Sequence, residues 1–143
     1  MITGDDFLSL AGKLIANPAA NEGTCRTSIS RAYYAVFHLS SELLADLGFR
    51  VGHNHGEVHR HLCEAKVVAA RSAGELLKEL HSNRVRADYR LNLDKPGQID
   101  FAKENVELAS TIRSLLQECL QEPTRSELKT TLEEYSRRIS PRK

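Results

Sequence analysis

The sequence predicts an all-α fold, an up-and-down bundle of five to six helices. Apolar residues recur at three- and four-residue intervals along most of the chain, and no segment alternates strictly as a half-buried strand does. Proline and glycine fall between the periodic segments, where they act as punctuation. A length of 143 residues suits one domain with a core of useful size.

The first helix is expected from about Asp5 to Ala16, where Phe7, Leu10, Ala11, Leu14 and Ile15 share a face and Asn17-Pro18 ends it. Polar residues from Asn21 to Thr24 cap the second, which runs from about Cys25 to Leu47 on a stripe of Ile29, Tyr33, Val36, Leu43 and Leu47. Gly48 closes it. After a loop over Phe49 to Asn54, Val58, Leu62 and Ala65 begin a third helix. A break near Arg71 to Gly74 separates it from a fourth, which carries Leu76, Leu77, Leu80, Ala87 and Leu91. Asn92 to Gln98, with Pro96-Gly97, cannot continue a helix. The fifth places Phe101, Leu108, Ile112, Leu115 and Cys119 in near-heptad register. Beyond Pro123, Thr124-Arg125-Ser126-Glu127 reads as a capping box opening a last amphipathic helix through Leu128, Leu132, Tyr135 and Ile139.

Helices two and five are expected to pack antiparallel as the spine of the bundle. The bundle proper is assigned to residues 1–120, and a C-terminal amphipathic helix with a short tail to 121–143. The narrow apolar stripe of that last helix leaves two readings open, docking on a partner or packing on its own bundle.

The 20 basic and 19 acidic side chains nearly cancel and are interspersed, so overall charge gives no footprint for nucleic acid, while a local patch stays open. No apolar run approaches the ~20 residues of a membrane span, and the N-terminus has no signal-peptide pattern. Cys25, Cys63 and Cys119 are odd in number, far apart and without C-x-x-C spacing, as expected of reduced thiols in a cytoplasmic protein.

Along the second helix, Arg31, Tyr34, Ala35, His38, Ser41 and Glu42 form a stripe distinct from the aliphatic one. Arg31 and His38 lie about 20° out of register and roughly 10 Å apart along the axis. That is too far for a hydrogen bond within one chain, yet both are expected to line one groove with Tyr34 between them. Arginine stabilises charge on a phosphate, and an imidazole moves the proton of a 2′-hydroxyl. The chemistry this suggests is RNA cleavage, with Arg31 and His38 as the candidate catalytic pair.

The run Ser30-Arg31-Ala32-Tyr33-Tyr34-Ala35-Val36-Phe37-His38, taken with Arg84-Val85-Arg86-Ala87-Asp88-Tyr89, resembles the HEPN family of small helical prokaryotic proteins. The resemblance is to members carrying an S-R-A-Y-Y-A-x-F-H helix and a later R-x-x-A-D-Y, and it covers roughly residues 1–120. It implies a homodimeric helical module tied to nucleotide or RNA binding. Such proteins are often paired with a small nucleotidyltransferase, the HEPN protein acting as toxin and the transferase as antitoxin. The family's ribonucleases carry an arginine and a histidine a short interval apart, near the end of the fourth helix. Here the matching segment begins at Arg84, and Asp88-Tyr89 stands where the histidine is expected. A phenol, with an ordinary pKa of about 10, is a poor general base at neutral pH. Arg31 and His38 meet the upper limit of the family spacing. Arg50 and His55, with four residues between them, also fall within that spacing, but in a loop, where it has little geometric meaning.

Arg84 falls in the apolar register of its helix, and a buried guanidinium calls for a carboxylate, which Asp88 supplies one turn on. A structural Arg84–Asp88 pair and a phosphate-contacting Arg84 are both kept. Tyr33, on the aliphatic stripe, is expected in the core with its hydroxyl hydrogen-bonded. His53, His55, His59 and His61 crowd one loop and helix start, His55 and His59 at the i, i+4 spacing of zinc-binding helices. The acid stands at Glu57 rather than directly after His55, and no third ligand is evident, so solvated or capping histidines are expected and no metal or other cofactor. His55-Gly56 resembles a histidine common in this loop of the family, which places His55 near the groove.

The candidate binding groove is thus Tyr34, His55, Arg84, Asp88 and Tyr89. The favoured function is a HEPN-like module of a toxin–antitoxin or defence-type system, binding RNA or nucleotide beside a nucleotidyltransferase partner, with weak or no catalysis. The alternatives are a metal-independent endoribonuclease toxin, using Arg31 and His38 or a set including Arg84 and Tyr89, and a structural adaptor docking through its last helix.

Overall fold

The computed structural model describes residues 1–139, among which there are six α-helices and no strand. They are α1 (Gly4–Ala16), α2 (Glu22–Asp46), α3 (His55–Glu64), α4 (Val68–Tyr89), α5 (Ile99–Glu118) and α6 (Thr124–Ile139). A single tight turn at Lys95–Gly97 leads into α5. No helix among the described residues is long and apolar enough to cross a membrane.

Local chemistry sets the helix ends. Thr3 caps α1 in a reciprocal box: its hydroxyl accepts from Asp6 N–H at 3.3 Å, and the Asp6 carboxylate accepts from Thr3 N–H at 2.8 Å. Asn21 caps α2 by accepting from Thr24 N–H at 3.0 Å. At the other end of α2, Gly48 sits at φ +98°. The N–H of Phe49 reaches Leu44 C=O at 2.8 Å and that of Gly48 reaches Ala45 C=O at 3.0 Å, a Schellman closure that only a left-handed residue permits cheaply.

Three expectations about the elements are corrected. The break between the third and fourth helices lies at Ala65–Val67, not at Arg71–Gly74, which is inside α4. Gly74 is there for close approach rather than for a turn. A Cβ at that position would stand 2.8 Å from Cys63 N and from Leu62 Cβ, so the end of α3 presses against bare backbone. The first turn of α6 is held by the Glu122 side chain rather than by a Thr124 capping box: its carboxylate accepts from Ser126 N–H at 3.1 Å and from the Ser126 hydroxyl. Leu10 and Leu91, read as core, are 43% and 72% exposed, Leu91 because α4 ends two residues earlier.

Helices α2 and α5 do pack together, but in parallel. The turn leading into α5 rests on the start of α2, where Gly97 meets Glu22, and the far end of α5 at Leu116 and Leu120 shares a groove with Leu43 and Asp46. The antiparallel partner of α2 is α4, whose last turn lies beside Ser30 and Arg26. The reversal at Lys95–Gly97 turns α5 back along α4 and so into the direction of α2.

Tyr33, Phe37, Ile29, Leu44, Leu62, Leu77, Leu80 and Ile112 are fully buried in the core. Each such side chain contributes about 1.5–3 kcal/mol on burial. Of the two readings left open for the last helix, packing on its own bundle is the one observed: Leu128 and Leu132 of α6 are fully buried in this core. The Tyr135 ring meets His61 edge-on at 5.2 Å. The tail that follows, 140–143, lies outside the described residues.

Two polar devices fix α4. Arg26 is buried at the start of α2 and turns its guanidinium onto the carbonyls that end α4, with Nη1 donating to Ala87 C=O at 2.9 Å and Nη2 to Leu93 C=O. These are the acceptors a helix C-terminus leaves unpaired. Between α4 and α5, Asn83 Nδ2 donates to Asn105 Oδ1 at 2.8 Å, and Asn105 Nδ2 donates to Phe101 C=O at 2.8 Å.

Candidate functional site

The two motifs, far apart in sequence, meet where α2 and α4 cross. The Ser30 hydroxyl donates to Asp88 Oδ2 at 3.1 Å, and Arg84 Nη1 reaches the same oxygen at 3.5 Å. The expected Arg84–Asp88 pair is present but lopsided: the Arg84 side chain is 9% exposed, that of Asp88 30%. Arg84 carries its charge among aromatic faces, its guanidinium carbon lying 5.5, 5.3 and 5.8 Å from the ring centres of Tyr33, Tyr34 and Tyr89. Its buried Nε has no hydrogen-bond partner among the described residues.

Tyr34 is the hub. The Arg31 guanidinium lies 5.3 Å from its ring centre, the same distance as Arg84, and the His38 ring stands 6.3 Å away. Arg31 and His38, too distant to touch, are further linked by Phe7 of α1, 5.1 Å from the Arg31 guanidinium and 5.7 Å from the His38 ring. The helical period of α2 places Arg31, Tyr34 and His38 on one side, and α1 closes the groove behind them. Tyr89 stands at its edge, 70% exposed.

Tyr33 is in the core as expected, with no exposed surface, and its hydroxyl is satisfied by two imidazoles: 2.6 Å to His55 Nδ1 and 3.3 Å to His59 Nε2. A third, His81 of α4, stands 5.2 Å from the Tyr33 ring and 5.2 and 5.4 Å from those of His59 and His55. Burial is the main force lowering the pKa of all three, and positive neighbours add to it. His59 falls to about 4, helped by His81, His55 and Lys78, while Arg84 bears directly on His55 and His81. The Tyr33 hydroxyl is pushed well up by its burial. At neutral pH the cluster therefore holds three uncharged imidazoles around a neutral phenol.

This corrects the reading of His55, His59 and His61 as solvated or capping, and leaves it standing for His53. His59 and His61 are buried, His61 Nδ1 bonding Glu57 C=O at 2.7 Å, while His55 is half-buried and His53 exposed. Among the described residues no group of three or more His, Cys, Asp or Glu is placed to hold a metal ion. The Tyr33 hydroxyl lies between His55 Nδ1 and His59 Nε2 and bonds both.

All seven residues singled out from the sequence, Arg31, Tyr34, His38, His55, Arg84, Asp88 and Tyr89, thus belong to one neighbourhood around the Tyr33–Tyr34 pair. Phe7, Ser30, His59 and His81 complete it. His81 was detectable, since it lies three residues before Arg84 and shares its helix face.

No family model, curated protein or solved structure matches the chain.

The site carries a testable energetic signature. A guanidinium that is buried, paired at 3.5 Å and unpartnered at Nε contributes little to stability. Arg84→Met, which fills the same space without charge, is expected to melt at or above the wild-type temperature. A fall of more than ~5 °C, equivalent to about 1–2 kcal/mol, would make Arg84 a structural residue instead.

Proposed function

We propose that the chain is a HEPN-like helical module of a cytoplasmic toxin–antitoxin or defence-type system, binding RNA or nucleotide in the groove around Tyr34 as a homodimer beside a small nucleotidyltransferase. The observation that supports this most is the meeting of the two motifs. Arg31 and Arg84 flank one tyrosine ring, and Asp88 is the only carboxylate that is bonded to either guanidinium among the described residues. A positively charged, aromatic-floored groove suits a phosphate backbone and unstacked bases. An arginine that lacks a full set of acceptors is ready for those of a ligand.

Titration of the full chain with a single-stranded RNA oligonucleotide, followed by NMR, is expected to move resonances of Arg31, Tyr34 and His38, and sedimentation is expected to give a dimer mass. Arg31→Ala should weaken binding evenly across sequences and reduce the slope of log affinity against log salt by about one phosphate contact. Shifts confined to other faces would make the stripe an assembly surface and favour the adaptor reading. A second reading, metal-independent RNA cleavage, is favoured by the neutral imidazole of His55 inside the groove.

A further inference from the structure

Past the tyrosine neighbourhood, the second half of α2 forms a groove with the start of α1 and the end of α5, around a cavity of about 170 Å³. Its floor is apolar: Leu43 and Leu116 are buried, Leu39 is half-buried, and Leu120 stands 48% exposed at the rim. Its charge is acidic. Asp5 and Arg113, which both line it, cancel in an ion pair of 2.6 Å. Glu42 and Asp46, one turn apart on α2, are exposed and have no cationic partner among the described residues. A leucine floor under two free carboxylates suits an aliphatic side chain flanked by guanidinium groups.

A segment of that chemistry is present on this chain. The last turn of α6 carries Arg137, Arg138 and Ile139, all exposed, and Arg142 and Lys143 follow in sequence. The buried stripe of α6 ends with Leu128, Leu132 and Tyr135, which leaves Ile139, one turn further on, 48% exposed. Ile139 is held away from the groove of its own chain. The 16-residue α6 starts shortly after Leu120 and carries Ile139 roughly 24 Å onward, to the side where Tyr135 meets His61 of α3.

We propose that this groove receives the end of α6 from a second copy of the chain, Ile139 entering among the leucines while Arg137 and Arg138 face Glu42 and Asp46. The contact joins unlike surfaces, groove to helix end. It is therefore separate from a two-fold contact through the Arg31–His38 stripe, which would join like to like. It buries one aliphatic side chain and pairs two charges at the surface. Such a contact gives an association of micromolar to millimolar strength that weakens as salt is added.

The test follows both surfaces of the full chain by NMR as its concentration is raised from micromolar to millimolar. In wild type, resonances of Leu39, Leu43 and Leu120 are expected to shift together with that of Ile139, and added salt to reverse the shifts. Ile139→Asp should weaken the association by at least about tenfold. Two paired variants then test the match of groove and end. Glu42→Lys with Asp46→Lys sets base against base, and Arg137→Glu with Arg138→Glu sets acid against acid. Each alone should lose the concentration-dependent shifts while melting as wild type does, since all four side chains are exposed. Mixing the two should restore the shifts, because the unaltered end of the first meets the unaltered groove of the second. Groove resonances that stay still as wild type is concentrated overturn the proposal. So do groove shifts that persist in Arg137→Glu with Arg138→Glu, which would give the groove to another occupant, and a mixture no more associated than its components.

Discussion

Replacing Arg26 with alanine is expected to cost about 3–5 kcal/mol of folding stability, a loss on the order of 10 °C in melting temperature. The side chain is buried, and its guanidinium donates to the carbonyls of Arg86, Ala87, Arg90, Leu91 and Leu93. Truncation removes those donors and leaves a void at the join of α2 and α4. Its ion pair with Glu22 is a minor part, since Glu22 is mostly exposed. Arg26→Lys should recover only a fraction, because an ammonium cannot spread its donors over so wide a set of acceptors. Urea titration of the two variants decides the matter. A loss below about 1 kcal/mol for alanine would mean that the end of α4 finds water as good a partner.

The second large effect is acid destabilisation. His59 has a folded-state pKa of about 4 against 6.5 when unfolded, lowered first by burial and then by His81, His55 and Lys78, and His55 and His81 are lowered as well. A group depressed in this way binds more protons unfolded than folded. Its contribution is therefore fully present above about pH 6.5 and is lost as the pH falls from there toward 4. For His59 alone this amounts to roughly 2 kcal/mol after allowance for partial solvent access. Unfolding free energies measured by urea between neutrality and the acid end of that window should fall by at least this much in wild type. The fall should be smaller in His59→Gln, whose amide can still meet Tyr33 but cannot titrate. A flat profile in wild type would show that the imidazoles are ordinary and the cluster open to water.

The helices themselves were legible because burial of one face leaves a three- and four-residue period, and α1, α2 and α5 show it in plain form. Periodicity carries no direction, which is why α2 and α5 were paired correctly but in the wrong sense. Gly74 illustrates a second limit: glycine marks either a break or a close approach, and only the partner backbone, here Cys63, tells which. At the site, Arg31, Tyr34 and His38 could be grouped because they share one helix, and the later motif announced Arg84, Asp88 and Tyr89. The roles of His59 and Arg26 depend on residues in other helices. Tyr33 pulls one imidazole inward, and the end of α4 receives the guanidinium of the other, and neither contact leaves a mark in local sequence.

The buried Asn83–Asn105 amide pair works as a stop on a slide. If α4 shifted by one turn against α5, about 5.4 Å, the bond between the two amides would be lost in a buried interface. Arg84, carried along by the same helix, would leave the ring of Tyr34. The pair therefore admits one axial setting of α4, and with it one gauge of the groove. Two leucines there would pack comparably yet remove the stop, so a chain with the same core and a loosely set groove is two substitutions away.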